Sequence, residues 1–165
     1  MGQPAARVGD FVSHPLPPTL TIGPGSLTTL IGGRPAWRGV GAAAAAAISS
    51  AKATSDAAIK TAEAATLAAA GTPGLPAAKL AEETAKASAA TAMGSMISSM
   101  AGMADIHTCA TPLPAPPHGP GVVLDGSLTV LVNGMPLSRM GNKVVEAVGP
   151  PNPITSGAFN VLVGG

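Results

Sequence analysis

Two patterns of apolar and polar positions divide the chain. In residues 1–41 and 105–165, short apolar runs alternate with polar residues at a period of two, bounded by glycine and proline. This pattern is typical of short strands joined by tight turns. Residues 42–104 instead contain two alanine-rich runs of helix length, 42–70 and 77–104, around a Gly-Thr-Pro-Gly-Leu-Pro turn. Because glycine and proline break helices, the sequence predicts a mainly β chain with an inserted alanine-rich α-helical hairpin.

The second predicted helix carries an apolar stripe. It recurs at helical spacing and consists of Met93, Met96, Ile97, Met100 and Met103. We expect this stripe to form the seam of the hairpin rather than a groove that docks a partner. Residues 87–104 are uncharged, but the rest of the hairpin carries lysines and acidic residues in i, i+3 or i, i+4 pairs. Such pairs are typical of a solvated face and argue against a membrane span.

The two flanks contain a three-fold repeat. A Gly-Ser-Leu-Thr-type block occurs at 25–33, 126–134 and 157–165. A second block, which begins with proline, recurs in step with it at Pro4, Pro35 and Pro136. One such unit cannot bury its own apolar face, whereas three units around an axis can share a core. The sequence therefore predicts that the flanks form one discontinuous β domain, interrupted by the hairpin at residues 42–104.

Composition and charge exclude some classes of function. The 165 residues carry a formal net charge of +1, and only 2% of them are aromatic, so the basic patch and stacking aromatics of a nucleic-acid-binding protein are missing. The single cysteine excludes an internal disulfide. Residues 1–10 contain no apolar stretch, so we expect a protein made in the cytoplasm without a signal peptide.

All candidate metal-binding nitrogen and sulfur donors lie in the flanks, at His14, His107, Cys109 and His118. His14 follows Asp10 by four residues and Cys109 follows Asp105 by four, so the repeat places these two side chains in equivalent loops. A structural zinc ion binds four such donors at about 2.0–2.3 Å, and the sequence predicts one structural zinc site. The third repeat has Glu146 at the matching position and no histidine nearby, so we expect the site to break the three-fold pattern.

Two other interpretations of these residues stay open. The histidines could be scattered over the surface with an inert cysteine, or Cys109 and a histidine could form a nucleophile pair for acyl transfer. No orienting Asn or Asp, oxyanion-stabilising loop or aromatic substrate site is recognisable beside Cys109. The proline-rich loop at 111–117 favours the metal, because a stiff loop loses little chain entropy when it is pinned. We therefore expect a non-enzymatic protein.

The repeated block resembles the motif of the PAAR-repeat proteins. Pro4-Ala5-Ala6-Arg7 matches the motif, and Pro35-Ala36-Trp37-Arg38 and Pro136-Leu137-Ser138-Arg139 are similar to degenerate second and third copies. The resemblance implies a conical three-repeat β-structure with one zinc ion near its apex, held by three histidines and one cysteine. By position these would be His14, His107, Cys109 and His118. The imperfect second and third copies and the inserted hairpin depart from the minimal form of the family.

The resemblance also implies a function. PAAR-repeat proteins cap the trimeric VgrG-type spike of contractile injection machines, namely type VI secretion systems, extracellular contractile particles and some phage tails. We therefore expect a monomeric piercing tip on a three-fold partner, assembled at the particle tip and delivered outside the cell or into the target. The hairpin is a candidate attachment site for an effector or adaptor protein, or a segment that packs along the spike. The alternative is a delivered effector whose hairpin is membrane-active.

Overall fold

The architecture combines two long helices with several short strands. A computed structural model describes residues 2–112 and 117–164, and most of the predicted proline-rich loop, 113–116, lies outside them. The helices are α1 (Ala42–Ala68) and α2 (Leu75–Met100). The strands are β1 (Gln3–Ala5), β2 (Ile22–Gly23), β3 (Leu30–Ile31), β4 (Arg34–Pro35), β5 (Ile106–Pro112), β6 (Pro117–Val123), β7 (Leu131–Val132), β8 (Met135–Pro136), β9 (Lys143–Glu146), β10 (Asn152–Pro153) and β11 (Ala158–Val163). The chain is thus of mixed α and β class: the predicted strands and the predicted helical hairpin are both present, and the strands do not clearly predominate.

The strands form one larger antiparallel sheet and three small ones. The larger sheet is open and has the order β10-β9-β6-β5-β2, while β3 pairs with β4, β7 with β8, and β1 with β11. Asn133 and Gly134 both have positive φ, as the tight turn of the β7–β8 hairpin requires. In the β1–β11 pair, Leu162 of β11 lies opposite Pro4 of β1. A short turn joins the two strands of the β3–β4 and β7–β8 pairs, whereas β1 and β11 come from opposite ends of the chain.

The backbone joins the three copies in a ring. The N–H of Ala6 donates to the carbonyl of Ser138, that of Ser138 to Trp37, and that of Trp37 back to Ala6, each at 2.9 Å. The copies also share one buried apolar cluster, formed by Ala5, Ile31, Ala36, Val132, Leu137, Ala158 and Val163. Each repeat thus buries apolar side chains against the other two, whereas a single repeat could not bury them alone.

One polar contact recurs in all three copies. The backbone N–H of an arginine donates to a side-chain oxygen of Asp or Asn, in the pairs Arg7–Asp10, Arg38–Asp105 and Arg139–Asn142. In the first and third copies the two residues are three apart in sequence, but Arg38 and Asp105 are 67 apart. The insertion therefore leaves the repeat geometry intact, and its two ends meet at the Arg38–Asp105 pair.

The predicted helical hairpin is present. Gly71, with a φ of +76°, lies between the helices, and Pro76 occupies the first turn of α2, where its missing N–H costs nothing. α2 ends at Met100, just before Gly102, whose φ is +58°. Within the described residues, neither helix is long and apolar enough to cross a membrane.

The methionine stripe packs against the sheet as well as against α1. The buried cluster around it contains Ile48 of α1, Met93 and Ile97 of α2, Val122 of β6, and also Val40, Ala101, Ala104 and Ala147. Met103, at the end of the stripe, is exposed. The interpretation of the stripe as a seam internal to the hairpin is therefore correct only in part, because the same face fixes both helices to the β body.

Candidate metal centre

Four buried side chains from three separate parts of the chain converge beside the five-stranded sheet. Their ligand-capable atoms lie within 4.8 Å of one another and belong to His14, His107, Cys109 and Glu146. Of the four residues predicted from the sequence, three are in this group. Nitrogen, sulfur and carboxylate oxygen donors are those that zinc and related metal ions accept, so the group can hold a metal ion.

The sheet positions three of these side chains through its register. His107 and Cys109 are two residues apart on β5 and are both buried, because side chains alternate along a strand. His107 lies opposite Gly121 of β6, and Gly121 lies opposite Glu146 of β9. A Cβ atom at Gly121 would lie 2.7 Å from Cγ of Glu146. Because Gly121 of β6 has no side chain, it leaves space in which the side chains of its two neighbouring strands, β5 and β9, can meet.

His14 completes the group from the loop that follows the first copy. Its Nε2 lies 2.7 Å from Nε2 of His107 and 3.4 Å from Oε1 of Glu146, and its Nδ1 lies 3.7 Å from Sγ of Cys109. His14, Cys109 and Glu146 each follow the recurring Asp or Asn by four residues. The third copy, which has no histidine nearby, therefore supplies a carboxylate where the first supplies an imidazole. The four-residue spacing already places Glu146 at the matching position in the sequence, but only the pairing of β5, β6 and β9 aligns it with His107.

His118 lies next to the group but is joined to it through Glu146. Its Nδ1 is 3.1 Å from Oε2 of Glu146, and that oxygen also accepts a hydrogen bond from Nδ2 of Asn152 at 2.6 Å. Within residues 2–112 and 117–164, Nε2 of His118 and Oε1 of Glu146 are buried and have no hydrogen-bond partner. Buried polar atoms are nearly always paired, and a metal ion would provide the missing interaction.

Burial shifts the protonation of the group in the direction that favours neutral histidines. Desolvation and the nearby His14 lower the pKa of His107 to about 4, and desolvation lowers the pKa values of His14 and His118. The imidazoles are therefore neutral near pH 7 and keep lone pairs for a metal. Burial raises the pKa of the Cys109 thiol and raises that of Glu146 to about 7. A metal ion must therefore displace the proton of the thiol and, below about pH 7, that of the Glu146 carboxyl group as well.

The affinity of the site for zinc should increase with pH. At pH 7 to 8 the Cys109 thiol holds its proton because its pKa is raised, and a thiolate ligand must lose it. Release of one proton gives about a tenfold gain in apparent affinity per pH unit, and the proton of Glu146 steepens the slope below pH 7. Competition with a chromophoric chelator at several pH values measures this. An affinity that is constant between pH 7 and 8 would contradict the thiolate ligand.

Fold and site together define a small protein of mixed α and β class with a buried group of His, Cys and Glu side chains able to hold a metal ion. Comparison of the chain with protein-family models, with curated proteins and with solved structures found no match.

Proposed function

We propose that this protein is the zinc-stabilised tip that caps a trimeric VgrG-type spike in a contractile injection machine. In this proposal the three repeats form a PAAR-type cone whose broad end binds the spike and whose narrow end holds zinc. Its role is mechanical and non-enzymatic. The protein would be made in the cytoplasm, assembled at the particle tip and delivered with it.

The observation that carries the proposal is an exposed apolar face repeated three times. Each copy exposes two large apolar side chains at the same places in the repeated block, and the six are Leu27, Leu30, Leu128, Leu131, Phe159 and Leu162. Their neighbours Ile31, Val132 and Val163 point inward and pack together. Soluble monomers rarely expose so many large apolar side chains around one cluster, and the three-fold arrangement matches a partner with a three-fold axis.

None of the residues of the metal group belongs to the buried cluster beneath this face. A second buried cluster, which includes Trp37, Val123 and Val144, is distinct from both. From that cluster, β9 continues from Val144 to Glu146. This separation suits a tip that is held at one end and stabilised at the other.

Zinc would act as a structural cross-link between the copies. His14, His107 and Cys109 supply three donors, and the hydrogen-bonded pair of His118 and Glu146 supplies the fourth. The resemblance to PAAR proteins favours His118, whereas the grouping of ligand atoms favours Glu146. When bound, the metal contributes folding energy to loops that bury few apolar side chains of their own.

Charged substitutions in the apolar face should weaken binding to the spike. We expect Leu128→Asp to weaken binding to the purified cognate VgrG-type trimer by at least 30-fold, because burial of one charged side chain in a desolvated interface costs about 2 kcal/mol or more. Native mass spectrometry of the wild-type complex should show one copy of this chain per three spike chains.

Leu67→Asp is the matched control for this experiment. Leu67 of the hairpin is 78% exposed and Leu128 is 83% exposed, so the two substitutions place the same charge at equally open positions. The control should bind the spike as the wild type does. Equal binding by the Leu128 variant, or equal loss in both variants, would contradict the proposed face.

A further inference from the structure

Residues 146–152 form a strap between the metal centre and the helical hairpin. The strap begins at Glu146 and ends at Asn152, whose Nδ2 donates to Oε2 of Glu146 at 2.6 Å and to the carbonyl of Pro150 at 3.2 Å. Both ends of the strap therefore meet beside the metal group, and its middle extends to the hairpin. The Glu146 residue is therefore held by its pairing with β6 and by the hydrogen bond from Asn152 at the far end of the strap.

Lys52 of α1 holds the middle of the strap. Its Nζ donates a hydrogen bond to the carbonyl of Gly149 at 2.9 Å and forms an ion pair with Asp56 on the same helix. Lys52 is only 6% exposed, although lysine is among the residues least often buried. A lysine that is buried with its charge paired on one side and a loop carbonyl on the other fixes the distance between that loop and the helix.

Other contacts fix the strap and β6 against the same hairpin. Ala147 packs in the cluster that contains Ile48 and Ile97. The Val148 N–H donates to the carbonyl of His118 at 3.0 Å. Gly94 of α2 lies so close to β6 that a Cβ atom on it would be 3.3 Å from the ring of Pro120. The hairpin thus supports the backbone of both residues that could supply the fourth donor.

We propose that Lys52 is a positioning residue of the metal centre and that it couples docking of the hairpin to zinc binding. This inference rests on the proposed zinc site. Without the Lys52 ammonium group the carbonyl of Gly149 loses its buried partner and the strap becomes free to move, so Glu146 is less well placed before the metal arrives. Coupling between two sites is reciprocal, so bound zinc stabilises the docked hairpin by the same factor by which the docked hairpin strengthens zinc binding.

Lys52→Met tests the coupling, because methionine retains most of the apolar stem and removes the ammonium group. We expect the dissociation constant for zinc, measured by competition with a chromophoric chelator, to rise about tenfold, as for other residues that act on a metal through its ligands. The visible spectrum of the cobalt-loaded protein should change as well, since it reports ligand geometry. Lys52→Arg should restore both, because arginine can still donate to Gly149.

Lys79→Met is the matched control. Lys79 is an exposed lysine on α2, and its replacement should change the zinc dissociation constant by less than twofold. In the wild type, zinc should slow hydrogen exchange of the amides of α1 around Lys52, and in Lys52→Met this slowing should be lost. A Lys52→Met protein that is less stable but binds zinc as tightly as the wild type would overturn the coupling.

The two proposals fail in different ways. A wild-type protein that takes up no zinc would overturn both the zinc site and the coupling. A wild-type protein that binds zinc with the same affinity as Lys52→Met would overturn the coupling alone. Spike binding provides a separate measurement, because Lys52 is not part of the apolar face and Lys52→Met should bind the VgrG-type trimer as the wild type does.

Discussion

On the proposal that the buried group binds zinc, removal of the metal with a strong chelator should lower the thermal unfolding midpoint of the protein by roughly 8–16 °C. A ligand that binds only the folded state at a thousandfold excess over its dissociation constant stabilises that state by about 4 kcal/mol. For a chain of this size, each kcal/mol corresponds to about 2–4 °C. The effect should be large because the donors come from different copies, His14 from the first and His107 and Cys109 from the second, so the loss of the metal removes a cross-link between parts of the chain far apart in sequence. Scanning calorimetry with and without chelator measures it.

Cys109→Ser provides the control for this experiment. Serine has nearly the same size as cysteine but is a poor zinc ligand, so the variant should already unfold at the lower temperature and should respond little to the chelator. Zinc content, measured by native mass spectrometry, should fall in parallel. A wild-type midpoint that the chelator leaves unchanged would show that the buried group does not depend on a metal for its stability.

Asp105→Ala should destabilise the protein by about 3–5 kcal/mol, the range observed when one partner of a buried ion pair is removed. Asp105 is fully buried and accepts hydrogen bonds from the backbone N–H groups of Arg38 and Gly25, at 2.7 and 2.8 Å, and from the Arg38 guanidinium at 2.9 and 3.1 Å. Alanine would leave a buried guanidinium and two backbone donors without their acceptor. Urea unfolding followed by circular dichroism measures the loss.

Asp105→Asn separates the charge of this residue from its role as an acceptor. The third copy already has Asn142 at the equivalent place, where its Oδ1 accepts the N–H of Arg139 at 2.9 Å. We therefore expect the asparagine variant to lose less stability than the alanine variant, about 1–2 kcal/mol. An alanine variant within 1 kcal/mol of the wild type would show that the pair does not hold the ends of the insertion together.

The helices and the repeat could be predicted because their signals are local. Alanine has the highest intrinsic helix propensity, and the glycines and prolines at 71–76 end one helix and start the next within a few residues. The repeated blocks could be recognised because copies of one unit keep their turn glycines, such as Gly33 and Gly134, at fixed places. The exposed pairs of the apolar face, such as Leu128 and Leu131, follow from the same repeat once the inward positions are known.

The sequence was less informative where its pattern shows which side of a helix is apolar but not what that side packs against. The methionine stripe follows from helical periodicity, yet periodicity does not show whether that face meets another helix, a sheet or solvent. Packing decides this, and Met93 and Ile97 meet Val122 of β6 as well as α1. The balance between helix and strand has the same origin, since the flanks form only short strands whereas the two helices are long.

The metal centre shows most clearly what the sequence determines and what only the tertiary structure determines. The sequence by itself determined which side chains could bind a metal, His14, His107, Cys109 and His118, because so few histidine and cysteine residues are present. It did not determine that Glu146 would join them. That depends on the register of three strands, which aligns His107, Gly121 and Glu146 across the sheet, and register is set by contacts between residues far apart in the chain. Local chemistry therefore selected the candidate donors, and only tertiary pairing decided which of them meet.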